Sequence, residues 1–290
     1  MFRIQTIASL DLPELTPYRT LRRAAAHAAQ GIFVAEGDKV VRRLLESSFG
    51  VVSVLLPESR LTEFEPLLRA RLEREIPVFA VTRKSVLEEL VGFEMFQGVL
   101  AIGKIPVAVT LEGILAGSGS PKLFAAVDGL TSAENVGLLT RNCAAFGVQA
   151  LIVGETSSSP FLRRAVRNSM GAIFRLPVLE LGLGVDGTHG THGMAAGSLV
   201  ETLKILRRNG VRCVAAHPHT EGKFLSQADL SGDCCIVFGS EGHGISAPVL
   251  AACDEAVAVP MANGVDSLNV GAAAAVFLYE AARQRSVGGN

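Results

Sequence analysis

Short hydrophobic runs alternate with amphipathic segments over residues 121–290. The amphipathic segment 135–146, for example, has Val136, Leu139 and Cys143 at helical spacing on one face. Apolar runs between such helices are typical of strands that are buried on both sides of a parallel sheet. These runs occupy residues 123–127, 148–153, 176–179, 211–216 and 234–238. The alternation predicts a doubly wound, mainly parallel α/β sheet.

The first 105 residues show the same alternation and predict a second, smaller α/β domain that is also doubly wound and mainly parallel. Glu36-Gly37 is interpreted there as an ordinary turn that leads into a helix. Predicted strands occupy residues 32–35, 51–56, 77–81 and 98–102, and predicted helices occupy residues 18–30, 38–47, 61–74 and 84–91. The Gly/Ser-rich end of residues 106–120 predicts a linker before the second domain, residues 121–290.

The segment 182–197 interrupts the second alternation with six glycines and two histidines, His189 and His192. A His-x-x-His spacing suits metal ligands, but a glycine-rich insert is more typical of a surface loop. We therefore expect a mobile loop here and no metal site.

Composition restricts the class of protein. Hydrophobic residues make up 49% and charged residues 19% of the chain, so sizeable cores are expected. No uncharged apolar run is long enough for a transmembrane helix, and the first residues lack a signal-peptide pattern. The odd count of 5 cysteines without a Cys-x-x-Cys pair predicts free, buried thiols. These features predict a cytoplasmic protein with no membrane partner.

The net charge of −1 excludes a broad basic surface, so any nucleic-acid contact must be a local patch. Clusters of this kind are more often solvated helix faces. The candidate side chains are Arg19, Arg22, Arg23, Arg42, Arg43, Arg163, Arg164 and Arg167.

Candidate chemistry concentrates near the end of the chain. The segment 239–246 reads Gly-Ser-Glu-Gly-His-Gly-Ile-Ser, and 259–261 and 266–271 follow it as Val-Pro-Met and Asp-Ser-Leu-Asn-Val-Gly. Glycine-rich loops after short buried strands expose backbone amides and carbonyls to a ligand. The alternative is two ordinary turns in which Glu241 and Asn269 cap helices or solvate loops.

These segments resemble the second and third motifs of the SpoU/TrmH family, the RNA ribose 2′-O-methyltransferases of the SPOUT superfamily. Residues 135–141, Asn-x-Gly-x-x-x-Arg, and the following Phe146-Gly147 resemble the first motif. The resemblance covers residues 121–285, and 97–99 also resembles the segment that closes the family's N-terminal RNA-binding domain. It implies a C-terminal trefoil knot and an N-terminal RNA substrate-binding domain over residues 1–105. It also implies a tRNA or rRNA partner and a homodimer.

The resemblance also implies site residues and a cofactor, S-adenosylmethionine. It assigns donor binding through backbone groups to Gly239, Val259 and Leu268, and catalysis to Arg141, Asn135, Glu241, Ser267 and Asn269. Because the pKa of a guanidinium is above about 12, we expect Arg141 to fix a phosphate and stabilise an alkoxide rather than accept a proton. A salt bridge from Arg141 to Glu241 is the structural alternative.

Two further expectations concern assembly and activity. The segment 269–283 is apolar nearly all round as a helix, so it needs burial on more than one side and predicts the dimer face. A catalytically silent RNA-binding or assembly factor on the same fold, or a SPOUT base methyltransferase, stays open as an alternative function.

Overall fold

A computed structural model describes residues 2–73, 75–83, 86–87, 90, 98–182, 194–218 and 223–287. Its residues group by their contacts into two units. Unit 1 comprises Met1–Val107 and Phe161–Arg175, and unit 2 comprises Ala108–Pro160 and Leu176–Asn290. The segment Phe161–Arg175 thus joins unit 1, although the sequence analysis assigns it to the C-terminal domain.

The described strands and helices alternate along most of the chain. The strands are β1 (Phe2–Ile7), β2 (Ile32–Glu36), β3 (Val51–Pro57), β4 (Ile76–Val81), β5 (Leu100–Lys104), β6 (Leu123–Asp128), β7 (Ala150–Val153), β8 (Val178–Gly182), β9 (Met194–Ala196), β10 (Arg212–Ala216), β11 (Lys223–Phe224), β12 (Cys234–Gly239) and β13 (Glu255–Ala258). The helices are α1 (Thr16–Arg19), α2 (Ala24–Ala29), α3 (Asp38–Leu45), α4 (Leu61–Arg69), α5 (Leu111–Gly117), α6 (Ala133–Ala145), α7 (Arg163–Asn168), α8 (Leu199–Arg208), α9 (Ala247–Ala252) and α10 (Val270–Val287).

Unit 1 contains a five-stranded sheet in the order β1-β4-β3-β5-β2. Strands β1, β4 and β3 are parallel, whereas β5 runs antiparallel to both β3 and β2. The sheet is therefore mixed, and the mainly parallel arrangement predicted for this half holds for one side of the sheet only.

The segment Phe161–Arg175 is fixed to unit 1 by aromatic and ionic contacts. The Phe33 ring lies 5.8 Å from the Phe161 ring and 5.6 Å from the Phe174 ring, centroid to centroid. Glu36 is buried and accepts hydrogen bonds of 2.6 Å from both Arg163 and Arg167. Glu36 is thus an ion-pair centre rather than a simple turn residue, and these two arginines are not a free solvated face.

Unit 2 contains an eight-stranded sheet in the order β11-β13-β10-β12-β6-β7-β8-β9, and every pairing in it is parallel. Its central strands β6, β7 and β12 are almost entirely buried, as the hydrophobic runs predict. Parallel order puts the carboxyl ends of these strands at one edge of the sheet. The parallel α/β fold predicted for this half is confirmed.

Several local predictions differ from the structure. Part of the predicted linker is helix α5, because Thr110 caps its first turn and Leu111 and Ile114 are buried in the unit 2 core. The predicted helix 18–30 is two short helices, α1 and α2. The predicted helix 84–91 and the insert 182–197, with His189 and His192, lie largely outside the described residues, as does Gln97.

All cysteines are free thiols, as predicted, and only Cys253 is not fully buried. Burial raises the pKa of Cys213 and Cys253 to about 12, which keeps both thiols protonated and unreactive at neutral pH. Among the described helices, none combines the length and the apolar character needed to cross a membrane.

Candidate active site

A cavity of about 260 Å³ lies at the carboxyl edge of the unit 2 sheet. It forms where β10, β12 and β13 end side by side, so three loops that are distant in sequence meet there. We call it the glycine-loop cavity. Its lining residues are Ala216, His217, Pro218, Phe238, Gly239, Ser240, Glu241, Gly242, His243, Gly244, Val257, Val259, Met261, Ser267, Leu268, Val270, Ala273 and Phe277.

The loop after β12 is a tight turn closed by backbone hydrogen bonds. Ser240 N donates to Gly244 O at 3.0 Å, and Gly244 N donates back to Ser240 O at 2.9 Å. Gly244 has a φ of 65°, a left-handed conformation that glycine adopts without strain. His243 N also donates to Ser240 Oγ at 3.1 Å. The turn therefore presents its backbone to the cavity in a fixed arrangement.

Gly239 is required by the closeness of the turn. A Cβ atom at this position would lie 2.1 Å from the carbonyl carbon of Gly244 and 2.3 Å from the nitrogen of Ile245. Both atoms belong to the backbone, so no side-chain rotation relieves the clash. By contrast, a Cβ atom at Gly242 would meet nothing within 4 Å. Gly239 is therefore required by the close approach of the loop backbone, whereas the space beside Gly242 would accommodate a side chain.

Asp128 ties this loop to the neighbouring strand. It is the last residue of β6, is 8% exposed, and accepts a hydrogen bond of 2.7 Å from Ser246 N. A buried carboxylate that accepts a backbone amide fixes the start of α9 and the end of the loop. Asp128 directly follows the predicted strand 123–127, and nothing in the sequence indicates this role.

Three polar side chains from the three sequence motifs meet beside the cavity. Asn269 Nδ2 donates to Asn135 Oδ1 at 3.2 Å and also donates to the Glu241 carboxylate. Asn269 Oδ1 accepts from Gly271 N at 2.9 Å and so caps α10. The structure therefore brings together residues that are 28 to 134 positions apart along the chain.

A second side-chain amide also connects α6 to the first turn of α10. Asn142, on α6, donates from Nδ2 to Gly271 O at 2.7 Å. A Cβ atom at Gly271 would lie 2.3 Å from Leu138 Cδ2, which shows how closely α6 and α10 approach. Asn142 was not predicted as a site residue. The signal that the sequence offered was its position directly after Arg141, the last residue of the Asn-x-Gly-x-x-x-Arg motif.

Arg141 is exposed on α6, while Val136, Leu139 and Cys143 are buried beneath it. It does not line the cavity. Within the described part of the chain its guanidinium makes no hydrogen bond or ion pair, so the alternative salt bridge to Glu241 is not formed. Its donors are therefore available to a ligand.

Six of the other predicted residues adjoin the cavity, since Gly239, Glu241, Val259, Ser267 and Leu268 line it and Asn269 contacts Glu241. Asn135 reaches it through Asn269. The additional lining side chains His217, His243, Phe238 and Phe277 were not predicted as site residues. His217 stands at the carboxyl end of a predicted strand, which was the only signal for it.

Known proteins share both the sequence and the fold. Residues 122–279 match the SpoU rRNA Methylase family. The chain is 31% identical over 288 residues to an uncharacterized tRNA/rRNA methyltransferase of Mycobacterium tuberculosis, which covers 97% of this chain and 92% of that protein. It is 31% identical over 202 residues to the 23S rRNA (guanosine-2′-O-)-methyltransferase RlmB of Ralstonia nicotianae, covering 69% of this chain and 75% of that one.

Solved structures agree with this assignment. An RNA 2′-O ribose methyltransferase superposes with a TM-score of 0.75 at 28% identity, covering 97% of this chain and all of that one. The SpoU methyltransferase AviRb of Streptomyces viridochromogenes, solved with AdoMet, has the same fold at 24% identity with a TM-score of 0.75, covering 94% of this chain and all of that chain. The family match covers more than half of the sequence and includes all three motifs, and the chain therefore belongs to the SpoU rRNA methylase family, an enzyme family that methylates RNA.

Proposed function

We propose that this enzyme transfers a methyl group from S-adenosylmethionine to the 2′-hydroxyl of a ribose in tRNA or rRNA. The observation that carries the proposal is the contact of Asn135, Glu241 and Asn269 beside a backbone-lined cavity. The cavity suits a nucleoside-like donor. The exposed guanidinium of Arg141 is the proposed contact for the acceptor.

The lining of the glycine-loop cavity suits the donor by its chemistry. Its apolar side chains, among them Val259, Leu268 and Phe277, suit an adenine ring, and the loop backbone offers hydrogen bonds to polar groups. The missing side chain at Gly239 allows the loop to fold back closely on Gly244, and the loop backbone forms part of the cavity wall. When bound, S-adenosylmethionine supplies a methyl group on a positively charged sulfur, which is already activated for displacement. We propose that Gly239, Val259 and Leu268 hold it through backbone groups.

The acceptor side is assigned to Arg141 and the polar cluster. A guanidinium with a pKa above about 12 does not act as a base, so Arg141 fixes the phosphate next to the reacting ribose and stabilises the developing alkoxide. Asn135, Glu241 and Asn269 are held in one hydrogen-bonded group, and together with Ser267 they orient the ribose.

The relatives support RNA as the substrate class and leave the RNA itself open. The Ralstonia relative is named for guanosine 2′-O-methylation of 23S rRNA, and the mycobacterial relative is named for tRNA or rRNA. The trefoil knot belongs to this proposal, as does RNA binding by the N-terminal domain. The proposed location is the cytoplasm, where free, buried thiols are stable.

A homodimer is also proposed, with its interface on α6 and α10. Four positions of α10 form one exposed stripe at helical spacing: Ala272, Val276, Tyr279 and Arg283. Val276 is 39% and Tyr279 58% exposed, and the neighbouring Leu138 on α6 is 37% exposed. The opposite side of α10, including Phe277 and Leu278, is buried in unit 2. A helix with apolar side chains on both faces suits an interface between two copies.

Mass spectrometry of nucleosides from a deletion strain tests the proposed reaction. We expect one 2′-O-methylated nucleoside to disappear from tRNA or rRNA and to return when the wild-type gene is restored. Loss of a base-methylated nucleoside would instead identify a base methyltransferase. Unchanged nucleosides, together with an assembly defect, would indicate a catalytically silent RNA-binding factor.

A further inference from the structure

The arginines of unit 1 divide into those that the protein itself holds and those that it leaves free. Arg42 donates to Asp38 at 2.9 Å and to Glu63 at 3.0 Å. Arg43 donates to the carbonyl of Met170. Arg163 and Arg167 both pair with Glu36, so Arg42, Arg163 and Arg167 are neutralised by carboxylates of unit 1, while Arg43 is bound to a backbone carbonyl. They are poor candidates for binding an external anion.

The free arginines lie elsewhere in unit 1. Arg22, Arg23 and Arg83 are exposed, and their side chains form no hydrogen bond or ion pair within the part of the chain that the structure describes. Arg19 makes one contact, a hydrogen bond of 3.2 Å from its Nη2 to Thr16 Oγ1, which leaves most of its donors unused. Their guanidinium groups are available to a partner.

Two of these free arginines line the same cavity. It has a volume of about 490 Å³ and lies where the parallel strands β1 and β4 end, in register at Ile7 and Val81. We call it the arginine cavity. Its lining residues are Ala8, Ser9, Leu10, Asp11, Arg19, Arg83, Val86 and Leu90. Arg19 comes from α1 and Arg83 from the loop after β4, so the fold brings the two cations together from distant positions.

The charge of the arginine cavity favours an anion. Among the lining residues that the structure describes, Arg19 and Arg83 contribute two positive charges and Asp11 one negative charge, a sum of +1. Asp11 Oδ2 accepts a hydrogen bond of 2.8 Å from Ser9 Oγ, which partly satisfies the carboxylate. A planar guanidinium binds a phosphate through two parallel hydrogen bonds, and two such groups hold it from two directions.

We propose that the arginine cavity binds a backbone phosphate of the substrate RNA, with Arg19 and Arg83 as its ligands. The proposal rests on the proposed function, because it assumes that the chain binds RNA. Arg22 and Arg23 follow α1 directly and extend the positive surface along the RNA. Arg19 and Arg83 thus form a local positive patch on a chain whose net charge is −1.

Binding of fluorescein-labelled RNA to the full chain tests the site, with bulk tRNA and 23S rRNA fragments as probes. The variant is Arg19→Ala/Arg83→Ala. The matched control is Arg69→Ala/Arg175→Ala, which removes two exposed unit 1 arginines of 69% and 71% side-chain exposure and the same charge. We expect the variant to bind about tenfold more weakly, and its salt dependence, the slope of log K against log salt, to fall by roughly 0.7–0.9, the value for one lost phosphate contact.

The control should bind within about twofold of the wild type, a shift expected from unspecific charge loss alone. Both proteins should bind S-adenosylmethionine as the wild type does. Methylation by the Arg19/Arg83 variant should recover at saturating RNA, so that KM rises while kcat stays near its original value. Equal RNA binding by the variant and the control would overturn the proposal.

Chemical modification gives a second readout that does not depend on a variant. Phenylglyoxal modifies solvent-accessible arginines, and peptide mass spectrometry locates the adducts. Bound RNA should protect Arg19 and Arg83 while Arg69 stays reactive, and inorganic phosphate at the same phosphate concentration should protect much less. Protection by phosphate alone would assign the cavity to a free anion. A wild-type chain that neither binds nor methylates RNA would overturn the proposed function as well, whereas methylation without protection would overturn only this site.

Discussion

The glycine-loop cavity of unit 2 and the arginine cavity of unit 1 both lie where parallel strands end, but they are lined by different chemistry. The first consists mostly of loop backbone and uncharged side chains, with Glu241 as its carboxylate. The second contains two arginines and an aspartate. We propose a sulfonium nucleoside for the first and an RNA phosphate for the second.

The difference shows how each kind of site is encoded. A site built from backbone requires particular glycines and caps, such as Gly239 and Asn269, and it therefore leaves a motif in the sequence. A site built from charge requires only that some arginines be unpaired. Arg42 and Arg19 look equivalent in the sequence, and only the folded chain shows that Arg42 is bound by Asp38 and Glu63.

The largest effect should follow from Arg141→Ala. The variant should lose about 3–4 kcal/mol of transition-state stabilisation, a rate loss of hundreds-fold, because it removes the proposed partner of the phosphate and of the developing alkoxide. Donor binding should remain near the wild-type value, since Arg141 does not line the cavity. Arg141→Lys should restore little, because an ammonium group lacks the planar fork.

Single-turnover methylation of the cognate RNA measures this effect, with Arg208→Ala on the same unit as the control for charge. Circular dichroism should show both variants folded. A folded Arg141→Ala enzyme that keeps most of its rate would make Arg141 a structural residue and would remove the contrast between the two sides of the site.

A buried carboxyl group on β8 of the unit 2 sheet, that of Glu180, predicts a pH dependence of stability. Burial, opposed by the hydrogen bond from Ser159, raises the pKa of Glu180 from 4.5 to about 7. The native state thus keeps a proton that the unfolded chain loses, so this contribution is full below about pH 4.5 and is lost as the pH rises to about 7. The free energy of unfolding should fall by about 3 kcal/mol over this range.

Glu180→Gln should remove that dependence, because an amide keeps the shape and the acceptor for Ser159 without a charge. At pH 8 the variant should be more stable than the wild type by up to about 3 kcal/mol, and near pH 4.5 the two should be similar. Urea unfolding at a series of pH values provides the measurement. Parallel stability curves for the two proteins would show that Glu180 is already ionised in the native state.

The two glycines of the β12 loop offer a matched pair for donor binding. Gly239→Ala should weaken the binding of S-adenosylmethionine by about 30-fold or more, about 2 kcal/mol, because its Cβ meets the backbone of Gly244. Gly242→Ala should bind nearly as the wild type does, since the added Cβ meets nothing. Calorimetry measures the affinity of both variants for S-adenosylmethionine. Equal affinities would contradict the claim that the donor site depends on the close backbone turn at Gly239.

The smallest effect concerns the proposed dimer face. Val276→Asp/Tyr279→Asp should weaken dimerisation at least about tenfold, because it adds charge to an exposed apolar stripe that a second copy would bury. Leu72→Asp, at a leucine that is 97% exposed in unit 1, is the control and should leave the dimer unchanged. Light scattering at micromolar concentration should give twice the 30.5 kDa chain mass for the wild type. A wild-type species of 30.5 kDa alone would rule out the dimer.

The sequence predicted most of unit 2 because its strands are uniformly apolar and its loops carry the motifs. The resemblance to the three family motifs also named Asn135, Glu241 and Asn269 as site residues, and the structure brings their side chains into contact. The sequence did not predict the role of Asp128, whose hydrogen bond to Ser246 joins residues 118 positions apart. A carboxylate after a strand has many local explanations, and only the fold selects one.

Unit 1 was predicted less completely, for reasons that are also long-range. The ion pairs of Glu36 with Arg163 and Arg167 join residues that are 127 and 131 positions apart. Nothing local indicates that a segment within the second alternation belongs to the first unit. Likewise, the Gly/Ser-rich end of residues 106–120 predicts a linker where the structure has helix α5. The sequence does not show that Leu111 and Ile114 pack into the unit 2 core.

The most direct test of the central claim uses the purified chain, RNA from a deletion strain and S-adenosylmethionine with a deuterated methyl group. Nucleoside mass spectrometry should find the label in one 2′-O-methylated nucleoside, and Arg141→Ala should leave the RNA unlabelled while still binding the donor. Label on a base would contradict the ribose as the acceptor. Absence of label from RNA that the wild-type chain binds together with the donor would contradict the claim that the site catalyses methyl transfer.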